Sequence, residues 1–301
     1  MEWESDEKEL KAAGAEALGG GRRGLRIGGW EIEWEEKVQT SHFPEMVFGE
    51  SSLVLKHVNS GIKISFNAFD ALCGWKKEAL PPVEVPAAAQ WKSRSNSDLQ
   101  EDHPDTRENE GKEKRPFSEL VLSCKPTDEV ILDYDYTFTT PYCGSASIER
   151  SLQSGERAPD EGSCNPHWED CQEQIDMVAL ASKESILFYD EVILYEDELG
   201  DNGVSLLTVK VRVMPTGWFL LLRFWLRVDG VLMRLRDTRM HCTFRESTEP
   251  IILRESCWRE ATFKALASKG YPTDSAAYSD PGAISERLPI VKRKTQKLVI
   301  T

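Results

Sequence analysis

Carboxylates are the side chains best placed to do chemistry in this chain, and they come in two arrangements. Asp70 and Asp237 stand singly beside apolar runs, whereas Asp190, Glu191, Glu196, Asp197, Glu198 and Asp201 crowd into one stretch. The crowded set could draw a divalent cation. Its spacing lacks the alternating oxygen ligands and fixed glycine of a calcium loop, so a solvated acidic loop describes it better. A metal-dependent hydrolase working through Asp70, Asp237 or this cluster is one function such residues would allow. Nothing in the sequence joins them to a nucleophile with a base and an orienting group. G-x-S-x-G, H-E-x-x-H and a dinucleotide-binding fingerprint at a strand end are missing, and Gly19-Gly20-Gly21-Arg22-Arg23-Gly24 lacks the G-K-[ST] ending of a phosphate loop. The histidines His42, His57, His103, His167 and His241 fall singly, without metal-ligand spacing. The expectation is a chain without catalytic residues, bound metal or cofactor.

Seven cysteines, Cys73, Cys124, Cys143, Cys164, Cys171, Cys242 and Cys257, contain no C-x-x-C pair. An odd, scattered set behind the acidic opening MEWESDEKEL, which has no apolar leader, predicts reduced thiols in the cytoplasm or nucleus. A net charge of −14 argues against nucleic acid, which demands clustered cations. Apolar runs such as Trp218–Leu222, cut by Arg223, fall far short of the roughly 20 residues that span a bilayer. With 40% hydrophobic residues in 301, the chain can bury one good core.

The elements that must position Asp237 lie in Val204–Cys242, which reads as three consecutive antiparallel strands. Val209, Val211 and Val213 alternate with Lys210 and Arg212, the period of a half-buried strand. Met214-Pro215-Thr216-Gly217 forms the first turn. Asp229-Gly230 reads as a two-residue hairpin turn. That loop places Val228 opposite Val231, Leu226 opposite Met233, Phe224 opposite Leu235 and Leu222 opposite Asp237. It puts Arg227 opposite Leu232, Trp225 opposite Arg234 and Arg223 opposite Arg236. One face is then apolar with Asp237 at its margin, as a peptide groove would use. The other is an arginine face, either solvated or a platform for acidic or phosphorylated partners, which would make the chain a general scaffold. Asp237 is equally an ion-pair residue, and Asp70 equally the capping-box partner of Asn67 at the start of a short helix.

Elsewhere, residues 1–29 read as a disordered N-terminal tail and 30–301 as a single domain. Trp30, Ile32 and Trp34 alternate with glutamates, and Leu53–Val58 with Ile62–Phe66 form a hairpin through Asn59-Ser60-Gly61. The stretch 92–129 has the composition of a disordered insertion, and 153–165 that of a polar loop. Asp133–Thr140 reads as a strand, Gln174–Ser182 as a helix and Ile251–Leu253 as a strand; Ile186–Tyr195 fits either strand or helix, its β-branched and aromatic content favouring strand. Helices are expected near Glu255–Lys269 and Ala283–Leu288, before a last strand ending at Ile300. The fold class is α+β, a predominantly antiparallel β-sheet core with a few short peripheral helices.

Several of these blocks resemble the TIPRL or TIP41-like proteins, regulators in TOR signalling. They are Phe43–Gly49, Ile64–Leu72, Asp135–Thr140, Glu191–Leu199 and, almost unbroken, Val204–Arg239. The resemblance implies a non-enzymatic regulator that binds the catalytic subunit of type 2A protein phosphatases, partly through its C-terminal tail, alongside other regulatory subunits. It also implies partner-binding positions at Asp70, Ile175, Leu235 and Asp237; the family more often has Met where this chain has Leu235. The groove expected from these readings combines Phe224, Leu235 and Asp237 with Asp70 and Ile175 nearby. The segment 81–129 and the charged tail depart from shorter members.

Overall fold

The computed structural model describes residues 11–19, 22–35, 46–73, 76–77, 84–86, 130–132, 138–149, 166–181, 185–199, 202–244 and 249–300. The insertion expected at 92–129 and the polar loop expected at 153–165 lie outside them.

The chain opens with short strands β1 (Glu16–Ala17), β2 (Gly24–Ile27), β3 (Trp30–Glu35) and β4 (Met46–Val47), followed by the hairpin β5 (Ser52–His57) and β6 (Ile62–Asn67). Helix α1 (Ala68–Cys73) and the small strands β7 (Lys76–Lys77), β8 (Glu84–Pro86), β9 (Val130–Leu132), β10 (Phe138–Thr139), β11 (Ser145–Ile148) and β12 (Pro166–Asp170) come next. After α2 (Met177–Leu180) four long strands run almost without interruption: β13 (Phe188–Asp197), β14 (Gly203–Met214), β15 (Gly217–Val228) and β16 (Leu232–Thr243). Then follow β17 (Ile252–Thr262), α3 (Phe263–Ala267), a 3₁₀ turn (Ser275–Tyr278), α4 (Pro281–Ile284) and β18 (Ile290–Ile300).

Among the described residues two large antiparallel sheets result, besides the two-stranded ladders β7-β10 and β8-β9. The smaller runs β1-β2-β3-β5-β6-β11, the larger β12-β18-β17-β16-β15-β14-β13-β4. The hairpin alternation holds: Leu53, Leu55, Ile62, Ile64 and Phe66 are all buried. They line the inner face of the small sheet, as a two-residue period requires. In the large sheet Trp218, Leu220, Leu222, Phe224, Leu226 and Val228 point inward together, and all are buried. Trp30 meets Trp218 edge-on at 5.2 Å, and Trp34 stacks on Phe188 at 3.9 Å, so aromatic side chains join the two sheets. Residues Ala79–Asp135 form a separate unit, whose described part is the ladder pairing Glu84–Pro86 with Val130–Leu132.

Four expectations need correction. The first strands begin inside the supposed tail: Leu25 and Ile27 of β2 are buried and pair with Ile32 and Trp30. Of the strand expected over Asp133–Thr140, residues 133–137 lie outside the described residues and only Phe138–Thr139 is a strand, paired with Lys77 and Lys76. The helix expected from Glu255 is a strand as far as Thr262, bonded on both flanks by β16 and β18. Its glutamates, arginines and alanine favour helix locally, and pairing on both edges overrides that preference. Helix α3 starts only where Thr262 caps it, its side chain accepting from the Ala265 amide.

The fourth correction concerns the hairpin register. Val228 pairs with Leu232, so the loop holds three residues, Asp229 to Val231, with Gly230 at φ +72°. The Asp229 amide donates to Asn202 O at 2.8 Å, and Arg227 Nε donates to Asp229 Oδ1 at 2.7 Å, tying the first loop residue to both flanks. One extra residue turns every side chain of β16 to the other face. Trp225 therefore faces Leu235, Arg223 faces Asp237, and Phe224 faces Arg236.

Candidate functional site: a groove on the outer face of the large sheet

The corrected register separates Phe224 from Leu235 and Asp237. Phe224 points into the sandwich and is buried, while Leu235 and Asp237 share the outer face with Arg223, Trp225 and Arg227. The supposed arginine face dissolves. Arg223 and Arg227 lie outside, whereas Arg234 and Arg236 lie on the inner face, where Arg234 Nε donates to Glu260 Oε2 at 2.6 Å. Arg236 donates to Thr140 O at 3.2 Å and lies 4.5 Å from the Trp258 ring centroid.

Two covers divide the outer face. At one end α3, the 3₁₀ turn and α4 bury Trp225, Met233 and Leu235 against Phe263, Leu266, Tyr278, Ile284 and Leu288. Leu235 has no exposed surface, so it supports this cover. At the other end Ile175 and Leu180 pack with Met214, Phe219 and Leu253. The expected helix over Gln174–Ser182 is shorter than its pattern suggests, because the Ile175 amide donates to Glu255 Oε1 at 2.7 Å and Asp176 then caps α2. Ile175 and Asp237 thus lie on one face of the large sheet.

Between the covers the cross-strand row Thr208–Arg223–Asp237–Cys257 forms the floor, beside the row Lys210–Leu221–Arg239–Glu255. Asp237 accepts from Arg223 Nε and Nη2, both at 2.7 Å. Side-chain exposures of 14% for Arg223 and 5% for Asp237 make this a largely desolvated, two-pronged ion pair. Burial disfavours the guanidinium charge, but the hydrogen bonds and charge of Asp237, with help from Asp280 and Glu191, hold the Arg223 pKa above its ordinary value. Next to this pair opens an apolar cavity of about 290 Å³, lined chiefly by Met177, Leu180, Tyr189, Phe219 and Leu221 with Lys210 and Arg212 at its margin. Lys210 pairs with Glu191 at 2.8 Å, and Arg212 donates to Leu180 O at 2.5 Å.

Asp70 belongs elsewhere. Asn67 caps α1 as expected, its Oδ1 accepting from the Asp70 amide at 2.8 Å. The capping box is not closed: the Asn67 backbone amide donates to Tyr142 Oη at 3.1 Å, and Asp70 Oδ2 accepts from Asn67 Nδ2 at 2.9 Å instead. Ser145 Oγ also donates to Asp70 Oδ2 at 2.9 Å. In the next contacts Thr140 Oγ1 donates to Ala71 O and Arg236 Nη1 donates to Thr140 O, on the sheet face opposite Asp237. Asp70 and Asp237 are therefore parts of two surfaces.

Among the described residues no group of three His, Cys, Asp or Glu side chains is placed to hold a metal ion. Cys143, Cys171, Cys242 and Cys257 are free thiols. Sequence reasoning missed Arg223, Phe219, Leu221 and Leu180 as groove residues. The charge complementarity of Arg223 and Asp237, fourteen positions apart, was a usable signal.

The TIP41-like family model matches residues 46–267. A TIP41-like protein of Arabidopsis thaliana is 58% identical over 315 residues, covering 100% of this chain and 99% of its own. A TIP41-like protein of Homo sapiens is 34% identical over 88% of this chain and 79% of its own. A protein of Saccharomyces cerevisiae described as type 2A phosphatase activator TIP41 is 33% identical over 87% of this chain and 67% of its own. With the matched stretch covering the hairpin, the groove floor and both surfaces just described, the chain belongs to the TIP41-like family.

Proposed function

We propose that the protein is a non-enzymatic regulator of type 2A protein phosphatases that binds the catalytic subunit, including its C-terminal tail, in TOR signalling in the cytoplasm and nucleus. The observation that carries this reading is kinship over most of the chain with the Saccharomyces cerevisiae relative described as a type 2A phosphatase activator. The groove supplies a physical means. An apolar cavity with cations at its margin suits an extended segment that ends in apolar side chains and a carboxylate. Ile175 and Leu235 shape the two ends of the groove, and Asp237 fixes Arg223 in its floor. Asp70, on its separate surface, is assigned to the body of the catalytic subunit.

Affinity capture of the catalytic subunit, intact and lacking its tail, tests this assignment. Leu221→Glu and Asp237→Asn should reduce capture of the intact subunit to the level of the truncated one. Asp70→Leu should weaken capture of both. Wild-type retention by all three variants sinks the site assignment, and failure of the unaltered protein to retain either subunit sinks the function.

A further inference from the structure

Among the described residues the large sheet has an open edge. Strand β12 covers β18 only over Gln296–Ile300, and the Cys171 amide then donates to Thr295 O at 3.0 Å. Residues 290–294 have no strand beyond them among the described residues, and all five are exposed, Ile290 at 47% and Val291 at 66%. Trp258 pairs with Lys292 and Arg259 with Ile290, so Val291 is an extra residue in β18 and the regular edge runs over residues 292–294, about 10 Å. The edge is basic in a chain of net charge −14: Lys292, Arg293 and Lys294 stand in sequence, with Arg287 before them and Lys297 after. Side chains alternate, so Lys292 and Lys294 rise on one face of the edge and Arg293 on the other. Lys292 is braced on the Trp258 ring, 4.7 Å from its centroid, beside Arg236 on the same ring. Lys294 pairs with the surface carboxylate of Asp170 at 2.9 Å.

We propose that β18 accepts an acidic extended peptide of a partner protein as an added antiparallel strand, its backbone pairing with residues 292–294, beyond the bulge at Val291, and its carboxylates facing Lys292, Arg293 and Lys294. Charge complementarity selects this occupant. A second copy paired edge to edge would set cations against cations, which destabilises cross-strand pairs. Backbone donors and acceptors that no strand among the described residues covers favour a polypeptide over a phosphate polymer. This edge is independent of the groove and of the phosphatase reading.

The test uses a fluorescein-labelled peptide of alternating Glu and Val, read by anisotropy with the full chain. The same peptide N-methylated at alternate amides is the control for backbone pairing. Binding should weaken at least tenfold on N-methylation and at least tenfold in the Lys292→Glu/Arg293→Glu/Lys294→Glu variant. The variant's unaltered circular dichroism would confirm that it folds. Saturating peptide should slow amide exchange within residues 292–294. Single substitutions Lys292→Glu and Lys294→Glu, each expected to lose a few-fold, serve if the triple variant unfolds. The proposal is overturned by no binding at millimolar peptide, by equal affinity of the N-methylated control, by full retention in the charge variants, by preference for an oligonucleotide, or by self-association through this edge.

Discussion

Removing the carboxylate of Asp237 should destabilise the fold through Arg223. The pair is two-pronged at 2.7 Å, and both side chains are mostly withdrawn from water. Asp237→Leu leaves the guanidinium in place without its principal partner, and breaking a buried pair by deleting one member costs about 3–5 kcal/mol. Asp280 and Glu191 also act favourably on Arg223, which points to the lower end, roughly 3 kcal/mol. Arg223→Met should cost a similar amount by stranding Asp237. The double variant Arg223→Met/Asp237→Leu replaces the pair with apolar volume, so its loss should be no greater than that of either single variant. Urea unfolding of the four proteins measures this as a coupling energy of about 3 kcal/mol. Additivity of the two single losses to within about 0.5 kcal/mol would refute the reasoning, because it would mean that the charges do not depend on each other. Capture of the phosphatase subunit by the double variant then separates two roles. Binding restored along with stability makes the pair a support for the groove, whereas binding still lost makes Arg223 or Asp237 a direct contact.

Leu235→Ala should remove about 2–5 kcal/mol, because Leu235 is fully buried beneath the C-terminal helices, and thermal unfolding will register the loss. Burial holds the His57 imidazole below its ordinary pKa of 6.5, so its contribution to stability is full above that value and declines as pH falls through it. Denaturant midpoints at pH 7.5 and 5 should differ less in His57→Gln than in the unaltered protein. Hydrogen bonds from Lys63 and Lys56 hold Glu149 down at about 2 from 4.5, so its contribution is present above 4.5 and lost as pH falls toward 2. The site is 44% exposed, which limits the effect to below about 1 kcal/mol, and Glu149→Gln should flatten the acid limb by no more than that. Gly230→Ala should cost about 1 kcal/mol through its positive φ alone, since a Cβ there meets nothing within 4 Å.

Much of the sheet was legible because burial on one face writes a two-residue period into the sequence. The alternation of Leu53, Leu55, Ile62, Ile64 and Phe66, and of Val209, Val211 and Val213, survives intact in the structure. Asn67 announced its helix for a local reason, its side chain capping the Asp70 amide. Strand β17 was not legible beyond Leu253, because its residues are half-buried on both faces and carry no period. Only β16 and β18 on its flanks dictate its conformation, and those lie outside any local window. Likewise the run before β3 reads as tail, since Leu25 and Ile27 become core only by pairing with β3.

The candidate site turned on a single residue of loop length. Asp229-Gly230 is compatible with either a two- or a three-residue hairpin, and local turn chemistry does not distinguish them. The strands do. A two-residue loop sets Arg223 against Arg236 and leaves Asp237 opposite Leu222, whereas three residues set Arg223 against Asp237 and Trp225 against Leu235. Like charges directly opposed destabilise a sheet, and opposite charges and apolar pairs support it. The charge pairs favour the observed register, while the apolar pairs Phe224–Leu235 and Leu226–Met233 of the shorter loop are given up for Phe224–Arg236 and Leu226–Arg234. The consequence for function is geometric. Phe224 moves inside, Leu235 goes under the helices, and Asp237 acts on the groove through the arginine it holds.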